Sequence, residues 1–273
     1  MVVGSVSDAP VSVIIPTFRD GEALKRALNS VARQTLQPAE VIVVDDAGGG
    51  QTTIQICAVS PARPIRLIRL PKNVGPGGAR NAGIAASRQT FLAFLDADDE
   101  WHPEKLHRQI SLMLASDAVG LTAHGKGFNA DAWPTLPSDS PPIPIGRWPM
   151  LLSNPAAIST VVIRRDAIKH LFPPWYAVED YAFVAANLLS GIGGMKMTET
   201  LARADKPAFG AGGLSGRLFS MQAGEMRAHF YFWRTGLITS LEYLPLIPWS
   251  LAKYLRRLAI VAGRRLLRLN SAA

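Results

Sequence analysis

Apolar positions along the chain fall into two alternating kinds of run. Short, nearly unbroken apolar segments occur at VSVIIPTF (11–18), EVIVVDD (40–46), IRLIRL (65–70) and FLAFLD (91–96), and each has the length of a buried strand. Between them the apolar residues are spaced for helices. Leu24, Ala27, Leu28 and Val31 recur at i, i+3, i+4 and i+7 behind Asp20, an expected N-cap. NVGPGGARNAG opens a helix to about Ser87, and HPEKLHRQISLMLA predicts another with Pro103 in its first turn. This alternation predicts an α/β fold with a mainly parallel, doubly wound sheet. Such sheets bind ligands outside the carboxyl ends of their strands, where Asp45, Asp46, Asp96 and Asp98 lie.

The second half is less regular. A Pro- and Ser-rich stretch from Asp131 to Pro155 reads as an irregular loop over one face, and STVVIRRDAI (159–168) as a strand entering a helix. VEDYAFVAANLLSG (178–191) is helical with its acids in the first turn, and a second helical stretch after Gly216 carries His229, Tyr231, Phe232 and Trp233. The tail predicts a helix starting at Pro248. Leu251, Leu255, Leu258, Ala262, Leu266 and Leu269 share one face of it, Lys253, Arg257, Arg264 and Arg268 lie opposite, and Ile260 is out of pattern. Two readings follow: a basic amphipathic helix on an anionic membrane surface, or a leucine face packed on the domain with solvated arginines. The expected division is a catalytic domain over 1–215 and a helical region over 216–273.

Composition narrows the class. The 273 residues are 48% hydrophobic and 18% charged, which describes a folded, globular chain. A lone cysteine, Cys57, excludes an internal disulfide framework and fits a reducing compartment. The N-terminal residues have neither the basic start nor the apolar core of a signal peptide. The net charge of +8 is concentrated: from Arg227 onward there are eight basic residues against Glu242 alone. That pattern argues for a basic C-terminal device and against a nucleic-acid binder.

FLAFLDADDEW (91–101) raises the chemical question, because a buried strand ends in four acids within five positions. Asp96 and Asp98, at i and i+2 in an extended turn, can face one hard divalent cation with phosphate oxygens completing its shell. The same acids, Asp99 included, would also suit the start of the next helix. Asp45 and Asp46 end a strand where a carboxylate can accept from a base imide or a ribose hydroxyl, or merely close a turn. NVGPGGARNAG is not a dinucleotide-binding G-x-G-x-x-G, since the third glycine position counted from Gly75 is Arg80. An Arg beside helix-start amides suits an anionic ligand in another way. Glu179 and Asp180 have two readings, a proton acceptor for an attacking hydroxyl or a helix-dipole partner.

Taken in order, V-S-V-I-I-P-T-F, E-V-I-V-V-D-D, N-V-G-P-G-G-A-R-N-A-G, F-L-D-A-D-D with W-H-P-E-K-L, and E-D-Y resemble glycosyltransferase family 2 over about residues 10–190. The resemblance implies the GT-A fold, a Rossmann-like sheet flanked by helices, here with a C-terminal helical extension. It implies an inverting enzyme that moves a sugar from a nucleotide diphosphate donor, usually a UDP-sugar, with Mn²⁺ or Mg²⁺. Position by position, Pro16 and Thr17 resemble the strand end bordering the nucleoside, Asp45 the base-contacting carboxylate, with Asp46 beside it, and Arg80 the helix residue lining the nucleotide pocket. Asp96 and Asp98 resemble the D-x-D pair, ribose and metal respectively, and Asp180, with Glu179, the catalytic base. Two departures stand out. D-D-A-G-G replaces the common D-D-G-S, and no His lies between Asp180 and Gly216, leaving Arg203 or Lys206 as substitutes on the diphosphate. The expected acceptor is a glycan hydroxyl on a lipid-linked repeat unit, and the expected location is peripheral, on the cytoplasmic face of the membrane. A sugar-nucleotide nucleotidyltransferase would need a Gly-rich, basic loop after the first strand, which PTFRDGEALK does not supply. A non-catalytic nucleotide- or glycan-binding relative would have no need of Asp96, Asp98 and Asp180 together.

Overall fold

The computed structural model describes residues 9–48, 50–62, 65–128, 133–134, 136, 140–204 and 218–270, with side chains to residue 261. In order, the elements are β1 (Ala9–Thr17), α1 (Gly21–Ala32), β2 (Pro38–Asp45), α2 (Gly50–Val59), β3 (Ile65–Arg69) and α3 (Gly75–Ala86). Then follow β4 (Phe91–Phe94), β5 (Asp99–Trp101), α4 (Lys105–Leu114), β6 (Leu121–Phe128), β7 (Ile143–Pro144) and α5 (Arg147–Leu152). The chain continues through β8 (Val162–Arg164), α6 (Glu179–Leu189), β9 (Gly194–Ala204), α7 (Leu218–Arg234) and α8 (Ser240–Asn270).

The strands form one sheet in the order β3-β2-β1-β4-β8-β6-β9-β5, with β7 also paired to β9. β3, β2, β1 and β4 are parallel. β8 runs against both β4 and β6, so β6 and its parallel partner β9 point the same way as β1. The mainly parallel sheet is therefore present, with β5, β7 and β8 reversed. After β1 the chain winds outward through β2 and β3, then returns to place β4 on the other side of β1. Strand order reverses there, and the crevice opens beyond Thr17 and Asp96.

Alternation along the strands builds a core on each face. Val11, Val13 and Ile15 of β1 pack with α1 and α4, while Ile14, Leu92 and Phe94 pack with α5, α6, α7 and α8. The second cluster takes in Ala228, Phe232, Ile238 and Leu246, so the C-terminal helices share the core of the sheet.

Several local expectations change. IRLIRL is an edge strand, half-exposed rather than buried, because only β2 flanks it. Asp20 precedes α1 but makes no side-chain cap; its carboxylate accepts from Thr17 Oγ1 at 3.0 Å and the Phe18 amide at 2.7 Å. Pro103 sits in the turn before α4, not in its first turn. Residues 165–167 form a 3₁₀ turn rather than a helix start, and β7 and α5 lie inside the stretch expected to be irregular. Asp99 does not start a helix but opens β5, paired to β9. The C-terminal helix begins at Ser240 rather than Pro248 and carries both Pro245 and Pro248 within it.

Candidate active site

The strand ends carry most of the site. At the end of β2 the carboxylates of Asp45 and Asp46 do different work. Asp45 is buried and accepts from the amides of Gly48 (2.9 Å) and Gly50 (3.2 Å), shaping the loop into α2. Asp46 reaches across to α3 and accepts from the Val74 and Gly75 amides at 2.8 and 2.9 Å. Burial pushes the Asp46 carboxyl up, against those two hydrogen bonds. Gly75 has φ +81°, a left-handed conformation that suits glycine, and a Cβ there would meet the Tyr176 ring at 3.2 Å. Tyr176 hydrogen-bonds Asn73 and closes this end of the cleft.

Arg80 on α3 organises the centre. It is almost fully buried, and its fork donates from Nη2 to Asp96 at 2.6 Å and from Nη1 to Glu179 at 3.0 Å. Burial works against an ionised Asp96, but Arg80 and then Lys126 outweigh it and hold the carboxyl below its usual range. Asp99, buried in the cavity wall, receives Lys126 Nζ at 2.5 Å. Burial opposes the charge on Lys126, yet Asp99, Asp96 and Asp98 overcome it and raise its pKa. Asp98 lines the cavity half-exposed.

Glu179 and Asp180 begin α6 directly after Val178, whose φ of +66° is strained for a β-branched residue. Burial and the neighbouring Asp180 push Glu179 up to about 7 against the pull of Arg80. Burial likewise raises Asp180, in the direction a general base needs. α7 closes onto this turn at Gly224, where a Cβ would stand 2.7 Å from Val178 Cγ2 and 2.8 Å from the Ala177 carbonyl oxygen.

Pro16, Thr17, Asp46, Arg80, Asp96, Asp98, Glu179 and Asp180 all line one cavity of about 890 Å³, within the range of ligand sites. Asp45 does not reach it. Arg80 is in the wall, but its guanidinium is committed to carboxylates. Arg203 lies elsewhere, pairing with Glu100 at 3.2 Å and stacking over Trp133 at 4.7 Å, and Lys206 lies outside the described residues. Sequence reasoning missed Lys126, Tyr176, Glu225, Lys253 and Arg257, which also line the cavity. Lys126 had a faint signal as a lone cation between two glycines at a strand end.

The last two residues arrive on the face of α8 opposite the leucines, against the reading that packs the leucines on the domain. Lys253 and Arg257 of α8 are 19% exposed and turned inward: Lys253 pairs with Glu225 and donates to the Leu152 carbonyl at 2.9 Å, and Arg257 Nη2 donates to Glu225 at 3.3 Å. Leu251, Leu255 and Leu258 face outward at 53, 57 and 39% exposure. Among the described residues, the leucines of that face are not packed on the domain, and these two cations are turned inward. The side chains of Arg264, Leu266, Arg268 and Leu269 are outside the described set. Among the described residues no helix is long and apolar enough to cross a membrane.

A metal fits this site in one way only. Asp96 belongs to Arg80 and Asp99 to Lys126, and no three described His, Cys, Asp or Glu side chains form a cage. Asp98 alone, completed by phosphate oxygens and water, is a shell that Mg²⁺ accepts.

A sequence model of glycosyl transferase family 2 matches residues 12–172, more than half the chain. The chain belongs to glycosyl transferase family 2. An Escherichia coli relative, the UDP-Glc:α-D-GlcNAc-diphosphoundecaprenol β-1,3-glucosyltransferase WfaP, is 30% identical over 184 residues, 67% of this chain and 71% of its own length. An uncharacterized glycosyltransferase from Nostoc and the succinoglycan biosynthesis protein ExoO from Rhizobium meliloti are each 39% identical over 42% and 40% of this chain, which spans only 36% and 30% of their lengths. Staphylococcus aureus TarS, solved with UDP-GlcNAc, superposes with TM-score 0.67 at 20% identity over 90% of this chain and 72% of the solved chain. A mannosyltransferase from Pyrobaculum calidifontis, solved with GDP-Man and Mn²⁺, gives 0.66 at 16% identity over 98% and 82%. The fold of this family 2 member is thus the GT-A fold of glycosyltransferases.

Proposed function

We propose that this family 2 chain transfers a sugar, with inversion, from a UDP-sugar to a hydroxyl of a lipid-linked glycan at the cytoplasmic membrane surface. One observation carries the reading: eight predicted residues from separate segments line a single cleft at the strand-order reversal, with Asp98 and Asp180 both in its wall. Pro16 and Thr17 border the nucleoside, and Asp46 with the Val74 and Gly75 amides shapes its pocket. Asp45 supports the adjoining loop through the Gly48 and Gly50 amides. Arg80 holds Asp96 and Glu179 in register. Asp98 would hold Mn²⁺ or Mg²⁺ together with the donor phosphates, and the ion supplies charge neutralisation to the departing diphosphate. Asp180, raised by burial, takes the proton of the acceptor hydroxyl as that oxygen bonds to the anomeric carbon and the nucleoside diphosphate leaves. The UDP-Glc donor and GlcNAc-diphosphoundecaprenol acceptor of WfaP support both the UDP donor and the lipid-diphosphate acceptor. The outward leucines and exposed Arg256 of α8 support contact with an anionic bilayer.

The deciding experiment screens nucleotide sugars for release of nucleoside diphosphate with and without Mn²⁺, in the wild type and in Asp180→Asn. Transfer should fall about 10²- to 10⁴-fold in the variant with UDP binding retained. Undiminished transfer by Asp180→Asn would remove Asp180 as the base.

A further inference from the structure

Lys253 and Arg257 lie one turn apart on α8 and share a single carboxylate, Glu225, so two positive charges meet one negative at the cleft wall. Burial disfavours the Glu225 charge, but Lys253 and Arg257 hold the carboxyl below its usual range, which leaves the trio net positive. Its position follows from the backbone. Gly224 presses α7 against Val178, immediately before Glu179 and Asp180, so the neighbouring Glu225 and its two partners line the same cavity as that turn. The nucleoside end, at Thr17, Asp46 and Gly75, is built on the parallel half of the sheet, across Asp98. A ligand reaching Lys253 meets a wall of the cavity built from α7 and α8 rather than from the strand ends of the proposed nucleoside pocket.

The same helix turns leucines 251, 255 and 258 to the outside. A molecule with a phosphate at the inner face and a hydrocarbon chain over the outer face would satisfy both faces of α8 at once. We infer that Lys253 and Arg257 form a subsite for the phosphate or diphosphate that joins the acceptor sugar to its lipid. Arg supplies a fork and Lys a point charge, a pairing suited to phosphate oxygens. This rests on the transferase reading above, and it assigns the acceptor's phosphate, not the donor's.

The test compares two acceptor probes, GlcNAc joined to an alkyl chain through a diphosphate and the same alkyl GlcNAc without it, with wild type, Lys253→Gln, Arg257→Gln and Glu225→Gln. The expected result is a tenfold or greater rise in KM for the diphosphate probe in the two cation variants. The phosphate-free probe and the UDP-sugar should each shift less than twofold. Glu225→Gln keeps both cations and should lower the KM of the diphosphate probe. Equal losses in all three variants, following their Tm, would reduce the trio to an ion pair that pins α8 and overturn the subsite. A rise in UDP-sugar KM would assign the cations to the donor and also overturn it. Failure of the wild type to use any UDP-sugar would instead overturn the transferase reading.

Discussion

The two ends of the cleft are built by opposite rules. At the end proposed for the nucleoside, side chains sit at carboxyl ends of neighbouring parallel strands, and their geometry follows from sheet order. At the α7–α8 end, the wall comes from helices far along the chain, and its charges face inward while its leucines face out. The first end is a property of the fold, and the second of how one helix is rolled on its axis. Both parts of the cleft wall carry a charge clamp: Arg80 holds two carboxylates at the centre, and Glu225 holds two cations at the α7–α8 end.

Breaking the clamps in turn measures the difference. Arg80→Met leaves Asp96 and Glu179 buried without their cation, and a loss of about 3 to 5 kcal/mol in urea unfolding is expected, with transfer abolished. Arg80→Lys should recover little, because one ammonium cannot reproduce the fork. Next in size is a pH effect at the α7 end. His229 is buried against Tyr181, and burial lowers it from 6.5 to about 4. The unfolded chain therefore binds the proton more readily, so stability is fully present above pH 6.5 and falls as pH drops toward 4. The loss is at most about 3 kcal/mol. Unfolding of wild type and His229→Gln at pH 7 and pH 4.5 checks it, and the variant should show a flatter profile.

Gly224→Ala sharpens the comparison, since it pushes α7 away from the Val178 turn. An expected 1 to 3 kcal/mol, about the cost of overpacking, should come with lower kcat, because Asp180 begins the helix behind that turn. The smallest stability effect belongs to the outer face of α8. Leu251, Leu255 and Leu258 to Ser should each change unfolding by no more than about 0.5 kcal/mol. Sedimentation with anionic liposomes should nonetheless weaken markedly, and retained binding would deny that face a role at the bilayer.

The same division governs what was legible in the sequence. VSVIIPTF, EVIVVDD and FLAFLD announce their positions because an apolar run ending in an acid has few places in a doubly wound sheet. Asp46, Asp96 and Asp98 were accessible for that reason. The distinction between Asp45 and Asp46 was not, since adjacent residues on a strand point to opposite faces and only the loop geometry of Gly48 and Gly50 decides which one is consumed. Asp99 read as a helix-start acid because the sequence does not show that β6 brings Lys126 over to it. The two faces of α8 were found correctly as a pattern, but which of them turns toward the domain was left open between two readings. Periodicity gives the faces of a helix, whereas only a partner such as Glu225 says which one turns inward.

Arg80 has one further consequence. Its two donor nitrogens are a fixed width apart in a planar group, and they grip the neighbours of the two residues proposed for the chemistry: Asp96, two positions before Asp98, and Glu179, next to Asp180. A guanidinium cannot stretch. In the proposed reaction it would work as a ruler laid across the cleft, holding the spacing of Asp96 and Glu179 before either substrate arrives.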